Sequence, residues 1–129
     1  METSVNNRYR AFTSIEQSKK LAEILPLESA DMYYWKRTWR EGDYAIGVGH
    51  SQELKEGFEA KEIEYIPCWS LVALLGVLEH PRVFQGDKPI YWFCGCFAKD
   101  NLYHEVEADN PVDACYEMII KLSYMNGVK

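Results

Sequence analysis

The chain's 129 residues suffice for one domain with a single core that needs neither metal nor crosslink. Hydrophobic residues make up 47% and charged residues 26%, a globular mix that excludes disorder and low complexity, and a formal charge of -6 opposes partners bound through phosphate. The aromatic share of 14% points to a β-rich core or an interface.

No apolar run approaches the roughly 18–20 residues that span a bilayer, and METSVNNRYRAFT lacks the apolar core of a secretion signal, so no membrane partner and a cytoplasmic location are expected. Residues 1–12 show no periodicity and are expected to form a flexible N-terminal arm, with a single domain over 13–126.

A helix is expected over IEQSKKLAEIL, capped by Thr13 or Ser14 and ended by Pro26; with Ser14 as cap, Gln17 completes a capping box. YYWKRTWR follows, with four aromatic rings and three cations in eight residues. Pairing it with YAIGVGH across a Gly42–Asp43 turn sets Trp39 against Ile46 and Arg37 against Val48. One face then collects Tyr33, Trp35, Trp39, Tyr44, Ile46 and Val48 as core. The other carries Tyr34, Lys36, Thr38 and Arg40 beside Ala45, Gly47 and Gly49, a shallow trough that makes Tyr34, Lys36 and Arg40 the candidate binding residues.

Ser51 to Ile66 is glutamate-rich and reads as a connection, with room for a short strand over 63–66. LVALLGVL between Pro67 and Pro81 reads as a buried helix capped by Ser70, with Trp69 stapled to Leu74. RVFQGDK is expected to be a loop.

A second hairpin turns at Asp100–Asn101 and pairs Phe97 with His104, Gly95 with Val106 and Phe93 with Ala108. Its apolar face is then Tyr91, Phe93, Phe97, Leu102, Val106 and Ala108, while Cys94 and Cys96 point away from His104. Because residues 90–98 are apolar on both sides, that strand is expected inside the sheet or covered twice.

The last helix is capped by Asn110, has Pro111 at its first position, and buries Val112, Cys115, Met118, Ile119 and Leu122. The expected fold is α+β, an antiparallel sheet of about four strands in two hairpins with three helices, in the order α-β-β-α-β-β-α.

No motif assembles a catalytic site. Cys94-Gly95-Cys96 lacks the second close ligand pair of a tetrahedral metal site, Cys68 and Cys115 stand alone, and GVGH lacks a phosphate-loop ending, so no catalytic residue, metal or cofactor is expected. Residues i and i+2 of a strand lie about 6.5–7 Å apart, at the limit of disulfide reach, so buried thiols are expected at Cys94 and Cys96.

PCWSLVALL (67–75) and DNPVDAC (109–115), with the opening SIEQSKKL and LPLESADMYY, resemble a group of small proteins of phages and prophages of gut Bacteroidales bacteria, over residues 13–125. The group brings no activity, so no site residue is transferred. The resemblance implies an accessory phage protein made in a bacterial cytoplasm and acting on a host or phage component. The expected function is a non-enzymatic protein-interaction module for such a partner, with self-association through a sheet edge as a variant. Nucleic-acid binding through Tyr34, Lys36 and Arg40 and an enzyme with an unrecognised site are the lesser readings.

Overall fold

The computed structural model describes residues 10–39, 41–49, 63–87 and 91–125. The fold is α+β, with three helices and two three-stranded antiparallel sheets. In chain order these are α1 (Ile15–Ala22), β1 (Met32–Arg37), β2 (Ala45–Val48), β3 (Ile63–Cys68), α2 (Leu71–Val77), β4 (Arg82–Gln85), β5 (Trp92–Phe97), β6 (Tyr103–Ala108) and α3 (Pro111–Tyr124). The first sheet has the order β2-β1-β3 and the second β4-β5-β6. No described helix is long and apolar enough to cross a membrane.

The helices begin where their local chemistry places them. Ser14 and Gln17 form the reciprocal capping box, Ser70 Oγ accepts from Ala73 N, and Asn110 Oδ1 accepts from Asp113 N ahead of Pro111. α3 buries the expected Val112, Cys115, Met118, Ile119 and Leu122, with Tyr116 and Ile120 packed at the border of the core.

Six strands replace the expected four. RVFQ is β4 rather than loop, because Val83 opposite Cys94 turns inward onto the core while Phe84 stacks on Phe93. The strand anticipated at 63–66 continues through Pro67 to Cys68; β3 is an edge strand, where a missing backbone donor costs little.

The first hairpin has a different register from the one expected at Gly42–Asp43. Residues 38–44 form the connection, and β1 pairs Tyr34 with Ile46 and Tyr33 with Gly47. The shift is odd, so the faces exchange. Trp39 and Val48, expected in the core, are 68% and 80% exposed. The cause is β3: β1 is the central strand, held by six register partners from Met32–Cys68 to Arg37–Ile63, against four on the β2 side.

The second hairpin slips by one residue. Its turn holds Lys99, Asp100 and Asn101, with Ala98 N donating to Leu102 O, Asn101 N donating to Ala98 O, and Asn101 at φ 67°. Asp100 Oδ1 accepts from Leu102 N at 2.9 Å and fixes this longer turn. Cys94 therefore pairs with Val106 and Cys96 with His104, so Cys94, Cys96, Val106 and Ala108 face the core while Phe93 and Phe97 face outward.

α3 packs on the inner face of the second sheet and against α2, while α1 packs on β3. Residues 11–13 run antiparallel to 69–71, with Thr13 N donating to Trp69 O and Leu71 N to Ala11 O. Gln17 Nε2 donates to Asp113 Oδ1 at 2.8 Å, and Arg10 pairs with the same carboxylate at 3.3 Å, fastening α1 to α3.

Candidate interaction face

The strand WFCGCF places two chemistries on two sides. Cys94 and Cys96 go into the core, and Phe93, Gly95 and Phe97 go to the opposite face. There they meet Arg82 and Phe84 from β4 and Tyr103, Glu105 and Glu107 from β6. Phe84 and Phe93 stack at 5.2 Å with their planes 17° apart, and the Arg82 guanidinium lies 5.2 Å over Phe84. Phe97 and Tyr103 meet edge to face at 5.6 Å.

Gly95 is required beneath this arrangement. The Tyr103 ring lies across β5 where any Cβ at position 95 would stand, so the glycine lets the ring lie close to the sheet. Tyr103 Oη donates to Glu105 at 3.1 Å, and desolvation followed by that carboxylate pushes the phenol up, keeping it a donor. Phe97 and Tyr103 remain 44% and 40% exposed, and none of the four rings joins the core cluster. They form one aromatic surface with a cation on its β4 side and carboxylates on its β6 side.

The structure brings Tyr34 and Lys36 together on one face of β1, with Tyr44 between them. Tyr34 Oη donates to Thr13 O, and its ring meets Phe12 and Tyr44 edge to face at 6.3 and 6.4 Å. Desolvation, then Cys68, pushes the Tyr34 phenol up. The Lys36 ammonium lies 4.9 Å over Tyr44, whose hydroxyl donates to Glu64. Arg40 lies outside the described residues. Of the trough of small residues beside these side chains, the Gly47 end is filled by the ring of Tyr33, while Lys36, Tyr44 and Ala45 line a groove of about 400 Å³ beside the Gly42–Asp43 turn.

Cys96 and His104, expected on opposite faces, are register partners on the same face because of the one-residue slip. The Cys96 thiol is shifted away from the thiolate that a nucleophile needs. His104 Nε2 is held 3.2 Å from Asp100, and burial pushes the Cys96 thiol up to about 11. The neighbouring Cys94 thiol and burial together raise Cys115; burial also raises Cys68. Among the described residues, no group of three or more His, Cys, Asp or Glu is arranged to hold a metal ion.

These thiols set an alkaline limit. A raised folded-state value contributes stability that is complete below the ordinary thiol value of 9.0 and is lost as pH rises, for Cys96 through about 11. The opposite shift at Cys94 offsets part of this, against raised values at Cys68, Cys96 and Cys115. Melting temperature is therefore expected to fall from pH 8 towards pH 10.5, and Cys96→Ala to show a smaller fall. Parallel melting curves for the two proteins across that range would reject the assignment to Cys96.

The fold and site define a small α+β domain with buried thiols and an open aromatic face on its second sheet. No family model matches the chain, and no curated protein or solved structure is significantly similar to it.

Proposed function

We propose that the protein is a non-enzymatic interaction module that docks a protein partner on the outer face of β4-β5-β6. The observation that carries this reading is the set of Phe84, Phe93, Phe97 and Tyr103 on one sheet face outside the core, with Arg82 stacked on it. Aromatic and arginine side chains dominate the binding energy of protein interfaces. Glu105 and Glu107 on the same face, and the net charge of -6, repel a phosphate backbone, which favours a protein partner over nucleic acid. The phage resemblance supplies the setting, an accessory protein acting on a host or phage component in a bacterial cytoplasm.

The test compares the tagged wild-type chain with the double variant Phe97→Ser, Tyr103→Ser in nuclease-treated host lysate. Each side chain is partly exposed and outside the core, so the expected cost is about 1 kcal/mol from the lost cross-strand pair, and the variant is expected to stay folded. Capture of the specific partner is expected to fall at least about tenfold, the effect of losing one or more aromatic anchors. Undiminished capture by the double variant would reject this face. Capture that disappears with nuclease in the wild type would move the function to nucleic acid and to Tyr34 and Lys36.

A further inference from the structure

We propose that the partner of this face is a basic protein segment, carrying lysine or arginine beside apolar side chains, whose charges are received by an acidic groove that continues from the aromatic surface. This rests on the interaction-face reading and adds the partner's chemistry. The link is Glu107. In the β6 register Glu105 lies opposite Gly95 and Glu107 opposite Phe93, so both carboxylates border the aromatic surface. Glu107 also lines a groove of about 360 Å³ with Gln17, Asp109, Asp113 and Glu117, formed where β6 passes into α3.

Within that acidic set Asp113 is neutralised by Arg10 at 3.3 Å. Among the described residues, Glu105, Glu107, Asp109 and Glu117 form no ion pair, although Glu105 accepts the Tyr103 hydroxyl. The cation of the aromatic surface, Arg82, sits on the far strand over Phe84. The surface is therefore polarised, apolar across β5 and acidic from β6 into the groove. An acidic field beside an apolar patch attracts cationic segments, sets their orientation and suppresses acidic competitors. A lysine or arginine stem can lie along the rings of Phe97 and Tyr103 while its head reaches the carboxylates.

The experiment pans a random-peptide display library on the full chain, on the variant Glu105→Gln, Glu107→Gln, Glu117→Gln, and on Phe97→Ser, Tyr103→Ser. Selected peptides are expected to be net basic with apolar residues. Their Kd should weaken about tenfold in the triple variant, the combined effect of three exposed charge pairs, and weaken again as salt rises. Selected peptides that are neutral or acidic yet require Phe97 and Tyr103 would overturn the basic partner and leave the interaction face standing. Peptides indifferent to both sets of substitutions would overturn both. A library with no enrichment would reject the basic segment, with the lysate capture deciding the face independently. Self-association of the chain that is lost on Glu107→Lys would make the occupant a second copy and overturn the proposal.

Discussion

Replacing Trp69 by alanine is expected to destabilise the protein by about 3–5 kcal/mol, the usual range for deleting a buried aromatic side chain. The indole is fully buried, in the same cluster as Leu74, Leu21 and Met118, and no other tryptophan among the described residues reaches that depth. It also connects elements distant in sequence. Its Nε1 donates to Ser29 Oγ at 2.9 Å, in the 3-10 turn Leu27–Ser29 after α1, while its backbone N donates to Thr13 Oγ1 at 3.2 Å. The backbone bonds survive the substitution, so the loss isolates the ring and its single polar contact. Trp69→Phe keeps most of the volume and removes the N–H, at an expected cost of about 0.5–1.5 kcal/mol for the hydrogen bond plus a small cavity. Urea unfolding of the three proteins checks this, with equal slopes confirming a common unfolded state. A loss below about 1.5 kcal/mol for Trp69→Ala would contradict the core position of the indole.

The same residue illustrates which parts of the fold can be read from the sequence. Ser70 as a cap with Trp69 before it, Ser14 with Gln17, and Asn110 with Pro111 are patterns within four residues of one another, and each sits where its local chemistry requires. Registers are different, because they depend on partners outside the hairpin. The Gly42–Asp43 pair suits a two-residue turn, and Gly42 does take positive φ, yet β3 holds β1 in another alignment. A short strand over 63–66 is readable, but its continuation through Pro67 to Cys68 and its pairing with β1 depend on an edge position that the sequence does not display.

The aromatic face was half legible. Apolar residues on both sides of 90–98 place that strand inside the sheet or under two covers, and β5 is indeed the inner strand of β4-β5-β6, with one face open. The one-residue slip at Asn101 instead gives the core the cysteines and leaves Phe93 and Phe97 outside with Glu105 and Glu107. A signal for this was present: Tyr103, Glu105 and Glu107 alternate with His104, Val106 and Ala108, and carboxylates at every second position mark an outward face. Tyr34 and Lys36, by contrast, stand out through alternation along the strand opposite small residues, and alternation does not reveal that Tyr34 turns towards Thr13.

Asp31→Ala is expected to cost about 2–3 kcal/mol, although Asp31 belongs to no helix or strand. Its Oδ1 accepts from Ser70 N at 3.0 Å and its Oδ2 from the Ser70 hydroxyl at 2.5 Å, and Ser70 Oγ in turn accepts from Ala73 N at 3.2 Å. The carboxylate thereby accepts the hydroxyl hydrogen bond and leaves a lone pair of the Ser70 oxygen facing the first turn of α2. That turn carries no acidic residue of its own, so Asp31 supplies across the fold the negative charge that a helix start favours. Its own carbonyl accepts from Gly49 N at 2.9 Å, closing the end of β2 against the start of β1. Ser70→Ala alone removes the cap and is expected to cost about 1–2 kcal/mol. Because both substitutions end the same hydroxyl–carboxylate bond, the double variant should cost less than the sum by roughly 1 kcal/mol. Asp31→Asn provides the finer test: its carbonyl can still accept from Ser70 N, but its amide donates where the carboxylate accepted, so the hydroxyl proton loses its partner. A smaller loss than Asp31→Ala, with coupling to Ser70 reduced, follows from that geometry. Additive losses in the cycle would mean that Asp31 and the helix cap act separately.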